Sequence, residues 1–257
     1  HYSDEVPAFA MSIHWSGGRR AEPDGKAGLA ELTAGMLFQG SERWQLASIE
    51  ERVRQLGARL SFGHDGSHST VWIQGVTSHF DETLALVREL LLQPALRPTD
   101  FQRIKLETRQ WLKQQARDPQ WQADQQFYAL IDGLARVPDP QAQWQTLTLD
   151  DVRAFYHSVY RSGEARVVVS GDLAQEKVMS ALSFLVEPEG QSPTLQPLGF
   201  TGQQARRAIY LVDNPGASQS LVRMGRRAMA SDAVGEQFLA RLMNASLTDR
   251  LHIRLQD

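Results

Sequence analysis

The sequence contains no cysteine among its 257 residues. This absence excludes disulfide bonds, cysteine-ligated zinc, iron–sulfur clusters and cysteine nucleophiles. It leaves the compartment open, because a chain without thiols suits either redox environment. The sequence also lacks an apolar run long enough to span a bilayer, and its start at His1 is neither an initiator methionine nor a basic leader. We therefore expect no membrane span and a processing boundary at the first residue.

The sequence has no large excess of either charge. Lysine and arginine number 27 against 30 aspartates and glutamates, for a net charge of −3. No basic stripe, phosphate-binding loop, dinucleotide fingerprint or nucleophile elbow occurs, so nucleic acid is not an expected partner. Hydrophobic residues make up 42% and charged residues 22%, values typical of a folded globular chain.

The hydrophobic pattern alternates between strand and helix periods along the chain. The predicted strands cover residues 9–15, 60–62, 71–76 and 166–170, and the predicted helices cover residues 28–38, 48–56, 81–92, 98–117, 122–131, 149–160 and 174–185. Asp65-Gly66 marks a hairpin turn between two of the strands, and Ser48 is the predicted N-cap of the second helix. This order predicts an α+β fold, a two-layer sandwich of a largely antiparallel sheet with helices on one face.

Proline and glycine cluster late in the chain and indicate a linker. Residues 187–204 contain three prolines and three glycines. We therefore predict a first α/β subdomain over residues 1–186 and a second over residues 205–257. The second subdomain has two predicted strands, at residues 208–212 and 221–225, and one predicted helix, at residues 232–244. These elements are a thin basis for an independent core, so the second subdomain is expected to be truncated.

Two sets of polar residues have the spacing of a metal-binding or an acid–base site. His64 and His68 have the four-residue spacing of a helical metal motif, but Asp65-Gly66 between them breaks a helix. We interpret them as two solvated turn histidines. Asp150 and Asp151 follow Thr148 at a helix start, where carboxylates cap free amides, and we interpret them as a cap rather than an acid–base pair.

A stretch near the N-terminus carries a family resemblance. Residues 25–41 read GKAGLAELTAGMLFQGS. They resemble the active-site helix of the pitrilysin/insulinase zinc metallopeptidases, whose pattern is Gly-Leu-Ala-His-x-x-Glu-His-Met-Leu-Phe-x-Gly-Ser/Thr. By this resemblance Glu31 stands in place of the first zinc-binding histidine, Ala34 in place of the general base and Gly35 in place of the second histidine. The glycine and apolar residues of the pattern are kept, and its zinc ligands and general base are replaced.

The resemblance also places the third zinc ligand of the family. Aligned on Asp118-Pro119, that glutamate position falls on Trp111 or Leu112, and the nearest acid, Glu107, lies one helical turn away. Neither Trp111 nor Leu112 binds a metal. The resemblance therefore implies no catalytic residue and no metal ligand in this chain, with zinc held by a separate catalytic domain.

Three later segments extend the resemblance over nearly the whole chain, at residues 147–156, 165–173 and 212–220. The non-catalytic partner domains of the family also supply an arginine and a tyrosine to substrate binding. Gln256 falls at the arginine place, with Arg254 two residues earlier, and the tyrosine place lies beyond Asp257. The candidate substrate-binding residues are thus Gln256 and Arg254.

The resemblance implies a non-catalytic half of a zinc metallopeptidase, which encloses and binds a peptide while a catalytic half of the same peptidase performs the cleavage. The alternative is a non-peptidase scaffold or core subunit with the same fold. The family resemblance suggests the periplasm or cell envelope of a bacterium, with the cytoplasm as the alternative.

Overall fold

The computed structural model describes residues 7–131, 140–186, 193–195 and 222–223. The chain divides into two compact units, one formed by residues 1–118 and 138–200 and the other by residues 119–137 and 201–257. The predicted second subdomain lies outside the described residues except for 222–223, and so does the predicted linker except for 193–195.

A four-stranded antiparallel sheet forms the centre of the first unit. In chain order its strands are β1 (Ala8–Ser16), β2 (Arg59–His64), β3 (His68–Val76) and β4 (Ala165–Gly171). They are arranged in the order β2-β3-β1-β4, and each neighbouring pair is antiparallel. The sheet confirms the predicted α+β class and the predicted hairpin around Asp65-Gly66.

The two faces of this sheet have different compositions because strand side chains alternate between them. On β1 the buried side chains are Phe9, Met11, Ile13 and Trp15, none more than 4% exposed. On the opposite face the side chains are more accessible: Trp72 of β3 is 44% exposed. The core of the unit therefore lies on one side of the sheet.

Helices of the first unit supply its other layer. The α-helices of the described residues are α1 (Leu29–Leu37), α2 (Leu46–Gln55), α3 (Phe80–Leu92), α4 (Pro98–Gln115), α5 (Pro119–Ile131), α6 (Pro140–Thr146), α7 (Leu149–Val159) and α8 (Gln175–Ala181), and the 3₁₀ turns are Gly18–Ala21, Thr77–His79 and Ser183–Val186. Helix α5 belongs to the second unit. No helix in the described part of the chain is long and apolar enough to cross a membrane.

Two local predictions were wrong, and one helix was not predicted. Helix α2 begins at Leu46 after an extended Gln45, so Ser48 lies inside the helix and does not cap it. Helix α6 was not predicted, because its glutamine-rich sequence has little apolar periodicity. Helix α8 ends at Ala181 and is followed by a 3₁₀ turn.

The start of α7 confirms the cap interpretation of the paired aspartates. The Thr148 hydroxyl accepts a hydrogen bond from the Asp151 amide, and the Asp151 carboxylate accepts one from the Thr148 amide, which completes a capping box. Lys26 donates to the same carboxylate at 2.7 Å. Asp150 instead pairs with Arg153 on the surface, at 2.9 Å. Asp151 thus caps the helix start, and Asp150 forms a surface ion pair in the first turn.

Candidate functional site

Helix α1 positions the residues that the sequence singles out. It begins after Gly28, whose φ of 92° favours glycine. The Glu22 carboxylate accepts hydrogen bonds from the free amides of Gly28 and Ala30, at 3.1 and 2.9 Å. Burial raises the pKa of Glu22 above its ordinary value, although the Ala30 amide opposes that shift. The sequence analysis did not predict this cap, because Glu22 lies in the loop before the helix, six residues before Gly28.

The three altered motif positions of α1 lie in two environments. Glu31 and Gly35 are four residues apart and therefore share one helix face. The Glu31 side chain is 66% exposed. Ala34 points into the core and is 4% exposed. The position of the first zinc ligand in the resembled motif is thus exposed, that of the second is partly buried, and the base position is filled by a buried methyl group.

Glu31 makes a direct contact with His64 at the end of β2. The distance between Glu31 Oε2 and His64 Nε2 is 2.7 Å. The hydrogen bond from His64 lowers the pKa of Glu31, and it outweighs the effect of burial. The His64 side chain is only 5% exposed, so its prediction as a solvated turn residue was wrong. It lies on the core-facing side of β2, beside Leu60 and Phe62, and there it meets α1.

His68 does not join His64 in a site. It begins β3, its side chain is 40% exposed, and its Nδ1 lies 3.7 Å from the Asp65 carboxylate. The Asp65 carboxylate accepts hydrogen bonds from the amides of Ser67 and His68, at 2.6 and 2.7 Å, which holds the turn. The solvated-turn interpretation therefore holds for His68.

The position of the second histidine faces helix α4. A Cβ atom built on Gly35 would lie 3.9 Å from Cγ2 of Ile104. The Gly35 carbonyl accepts a hydrogen bond from the Gln39 side chain at 3.0 Å, and Arg103 of α4 donates to Gln39. An aliphatic side chain and an amide–guanidinium contact thus surround this position.

The predicted third-ligand position is also on α4. Leu112 is 7% exposed and belongs to the core, whereas the Trp111 side chain is 50% exposed. The nearby carboxylate of Glu107 accepts two hydrogen bonds from Arg103, at 3.1 and 3.2 Å, on the same helix.

The donor set at this place does not fit a zinc ion. A catalytic zinc needs about three protein ligands from histidine, carboxylate or thiolate groups. Within the residues that the structure describes, no group of three or more such side chains is placed to hold a metal. Glu31 and His64 are the acid and imidazole that meet here, and they contact each other. The predicted substrate-binding residues Arg254 and Gln256 lie outside the described residues.

Comparison with known proteins identifies the family. A model of the insulinase family (peptidase family M16) matches residues 3–130, a range that contains α1 and α4. The chain belongs to the insulinase family. This confirms the resemblance carried by residues 25–41, and the replaced motif positions on α1 give this family member the form of a non-catalytic half.

Two curated relatives have related sequences. The chain is 20% identical over 204 residues to a probable mitochondrial-processing peptidase subunit beta of Arabidopsis thaliana, a match that covers 74% of this chain and 38% of the relative. It is 21% identical over 213 residues to the non-peptidase homolog YmxG of Helicobacter pylori, covering 80% of this chain and 49% of the relative. The matches thus span half of the relatives' lengths or less.

Solved structures with low sequence identity share the fold. A peptidase M16 inactive domain from Pseudomonas fluorescens superposes with a TM-score of 0.68 at 20% identity, covering 76% of this chain and 49% of that one. The periplasmic protease PqqL from Escherichia coli superposes with a TM-score of 0.63 at 15% identity, covering 76% and 23%. These similarities confirm the predicted insulinase-like α+β fold.

Proposed function

We propose that this insulinase-family chain is the non-catalytic half of a zinc metallopeptidase, and that it encloses and binds the peptide substrate. The cleavage and the zinc would belong to a catalytic half with an intact His-x-x-Glu-His motif. In this proposal the partners are that catalytic half and an extended peptide.

The observation that carries the proposal is the state of α1. The helix keeps the glycine start and the apolar residues of the family's motif, and Leu29, Met36 and Leu37 among them are buried. Its three chemical positions hold Glu31, Ala34 and Gly35, and the Glu31 carboxylate is bound by His64. A helix that keeps the family's apolar pattern after losing the zinc ligands and the general base supports a role that depends on shape and on binding.

The edge of the sheet supports peptide binding. Among the described strands β4 pairs with β1 and lies at one end of the strand order. Its side chains alternate in exposure, and Val168 is 63% exposed. An extended peptide can add to such an edge through main-chain hydrogen bonds while alternate side chains contact the protein. We assign this edge as the candidate peptide site.

The similar proteins support two versions of the role. The Pseudomonas fluorescens structure is described as an inactive domain, and the PqqL structure as a periplasmic protease, which favours a peptidase half, with the periplasm as its proposed location. The Helicobacter pylori relative is described as a non-peptidase homolog. That description favours the second candidate, a non-peptidase scaffold with the same fold.

Peptide binding by the purified chain separates these two candidates. Fluorescence anisotropy with a labelled, unstructured peptide measures binding, and the same peptide with N-methylated backbone amides is the matched control. The proposal predicts saturable binding that N-methylation weakens, because strand addition needs backbone amides. Lack of binding by the unmodified peptide would favour the scaffold and contradict the peptide-holding role.

A further inference from the structure

The open face of the sheet, which is the face opposite the core, carries charge of one sign. The four strands contain no aspartate or glutamate. The basic residues that they place on the open face are His14 of β1, Arg59 of β2, His68 of β3 and Arg166 of β4. Both arginines are exposed. An anionic group that approaches this face therefore meets two guanidinium groups and no carboxylate of the strands.

The strand register aligns the residues of the open face in rows that cross the sheet. The first row consists of Arg59, Gln74, Ala10 and Ser170. It borders a hollow of about 500 Å³, and the small side chain of Ala10 lies at its centre. The guanidinium, amide and hydroxyl groups of this row are exposed and can each donate hydrogen bonds. These donors suit a carboxylate ligand.

The second row supplies an apolar surface beside those donors. It consists of Ser61, Trp72, Ser12 and Val168. Trp72 is 44% exposed and Val168 is 63% exposed. A Cβ atom placed on Gly63 would lie 2.9 Å from the Trp72 ring, so the ring lies over the bare backbone of β2. An exposed indole with its inner side packed in this way can receive an apolar side chain.

The third row places the second arginine far from the first. It consists of Gly63, Thr70, His14 and Arg166, so Arg59 and Arg166 lie on the two outer strands, two rows apart. With about 4.8 Å between strands and about 3.4 Å per residue along them, their Cα atoms are about 20 Å apart. One small anion cannot reach both arginines, whereas an extended peptide of about six residues can. Two arginines are also too few for the phosphate contacts of a nucleic acid.

We propose that the open face binds an acidic peptide segment, with one carboxylate of the peptide at Arg59, another at Arg166 and an apolar side chain between them on Trp72. This inference rests on the proposed peptide-holding function and adds the class of peptide. Arg166 belongs to β4, the strand of the candidate peptide edge, so the segment runs from that edge across the sheet.

Two peptides of equal length test the charge requirement. One carries two glutamates about six residues apart, the number that spans the two arginines, with a leucine between them, and the other carries glutamines in place of the glutamates. Fluorescence anisotropy of the labelled peptides with the purified chain measures both affinities. We expect the acidic peptide to bind at least about fivefold more tightly at low ionic strength, and the difference to shrink as salt screens the charges.

Substitutions on the sheet locate the site. Arg59→Gln and Arg166→Gln should each weaken binding of the acidic peptide about two- to fivefold, as expected for exposed ion pairs. The double variant should show about the product of the two effects, because the sites are far apart. Trp72→Ala should weaken binding of both peptides. Arg109→Gln is the matched control, since it removes an exposed arginine from α4, and it should leave both affinities unchanged.

The outcomes separate this inference from the function on which it rests. Equal binding of the acidic and neutral peptides would overturn the inference and leave the peptide-holding role in place. Binding of neither peptide would contradict both. A loss in Arg109→Gln as large as that in Arg59→Gln would also overturn the inference, because the attraction would then come from the charge of the whole chain rather than from the open face.

Discussion

Gly35 of α1 lies opposite Ile104 of α4, and a Cβ atom placed on Gly35 would be 3.9 Å from one methyl carbon of Ile104 and 4.0 Å from another. These are ordinary van der Waals distances, so the two helices leave room for a methyl group. The second histidine position of the family motif has therefore lost its side chain without being closed by neighbouring atoms.

Gly35→Ala is expected to stabilise the fold. Glycine in a helix interior costs about 0.5–1 kcal/mol relative to alanine, and the added methyl group meets Ile104 without a clash. We expect the free energy of unfolding, measured in urea, to rise by about that amount.

Gly28→Ala is the matched control for this substitution. Gly28 has a φ of 92°, and its added Cβ would lie 2.8 Å from the Trp144 ring. This change should destabilise the protein, because both the backbone and the contact are strained. A loss of stability in Gly35→Ala similar to that in Gly28→Ala would show that the α1–α4 contact differs from the one described.

Neighbouring residues on α4 should respond differently to truncation. Leu112 is 7% exposed and Trp111 is 50% exposed. Leu112→Ala should cost about 2–5 kcal/mol, the usual range for a buried leucine, and Trp111→Ala should cost much less. Chemical denaturation of both variants tests which side of α4 faces the core, and a larger loss for Trp111→Ala would contradict the described orientation.

The capping box at α7 predicts a moderate loss on removal of one hydroxyl. Thr148→Ala removes the acceptor for the Asp151 amide and should lower the free energy of unfolding by about 0.5–2 kcal/mol. Thr148→Ser keeps a hydroxyl and should retain most of the stability. Equal losses in both variants would mean that the methyl group, rather than the cap, is what matters.

The same helix start predicts a loss of stability in acid. Burial raises the pKa of Asp151, but hydrogen bonds from Lys26 and Thr148 outweigh it, and the net shift is downward. A carboxylate whose pKa is lowered by folding stabilises the protein at pH values above its pKa in the unfolded chain, about 3.9. This contribution is lost as the pH falls through the pKa of the folded state.

Removing the lysine should reduce this acid dependence. The drop in unfolding free energy between about pH 6 and pH 2.5, which brackets the ordinary aspartate value, should be smaller in Lys26→Met than in the unmodified chain. Arg153→Met is the control, because its partner Asp150 is 89% exposed and exposed pairs contribute little. An equal drop in Lys26→Met and the unmodified chain would contradict the assigned role of Lys26.

Much of this fold could be predicted from local pattern. The alternation of Phe9, Met11, Ile13 and Trp15 marks the central strand, and Asp65-Gly66 marks the hairpin turn, because both signals depend on neighbours in sequence. Helix α6 has no such signal. Its Trp144 is 4% exposed, and its indole donates to the carbonyl of Lys105 at 3.2 Å, so tertiary packing gives it a place in the core.

The candidate site shows the same division. The loss of the zinc ligands and the general base at Glu31, Ala34 and Gly35 could be predicted from the sequence, because it depends only on residue type. The partnership of Glu31 with His64 could not be predicted, because 33 residues separate them and only the packing of α1 on β2 brings them together. The cap by Glu22 was missed for a different reason, since Glu22 lies six residues before Gly28 and therefore outside the usual N-cap position.

The most direct test of the account is peptide cleavage by a reconstituted pair. A catalytic insulinase-family subunit with an intact zinc motif would be assayed with and without this chain, and the zinc content of each component would be measured. We predict no cleavage by this chain alone, far less than one zinc per chain, and a rise in the partner's kcat/KM of about tenfold or more when the peptide is held between them. Cleavage and one tightly bound zinc in this chain alone would contradict the account.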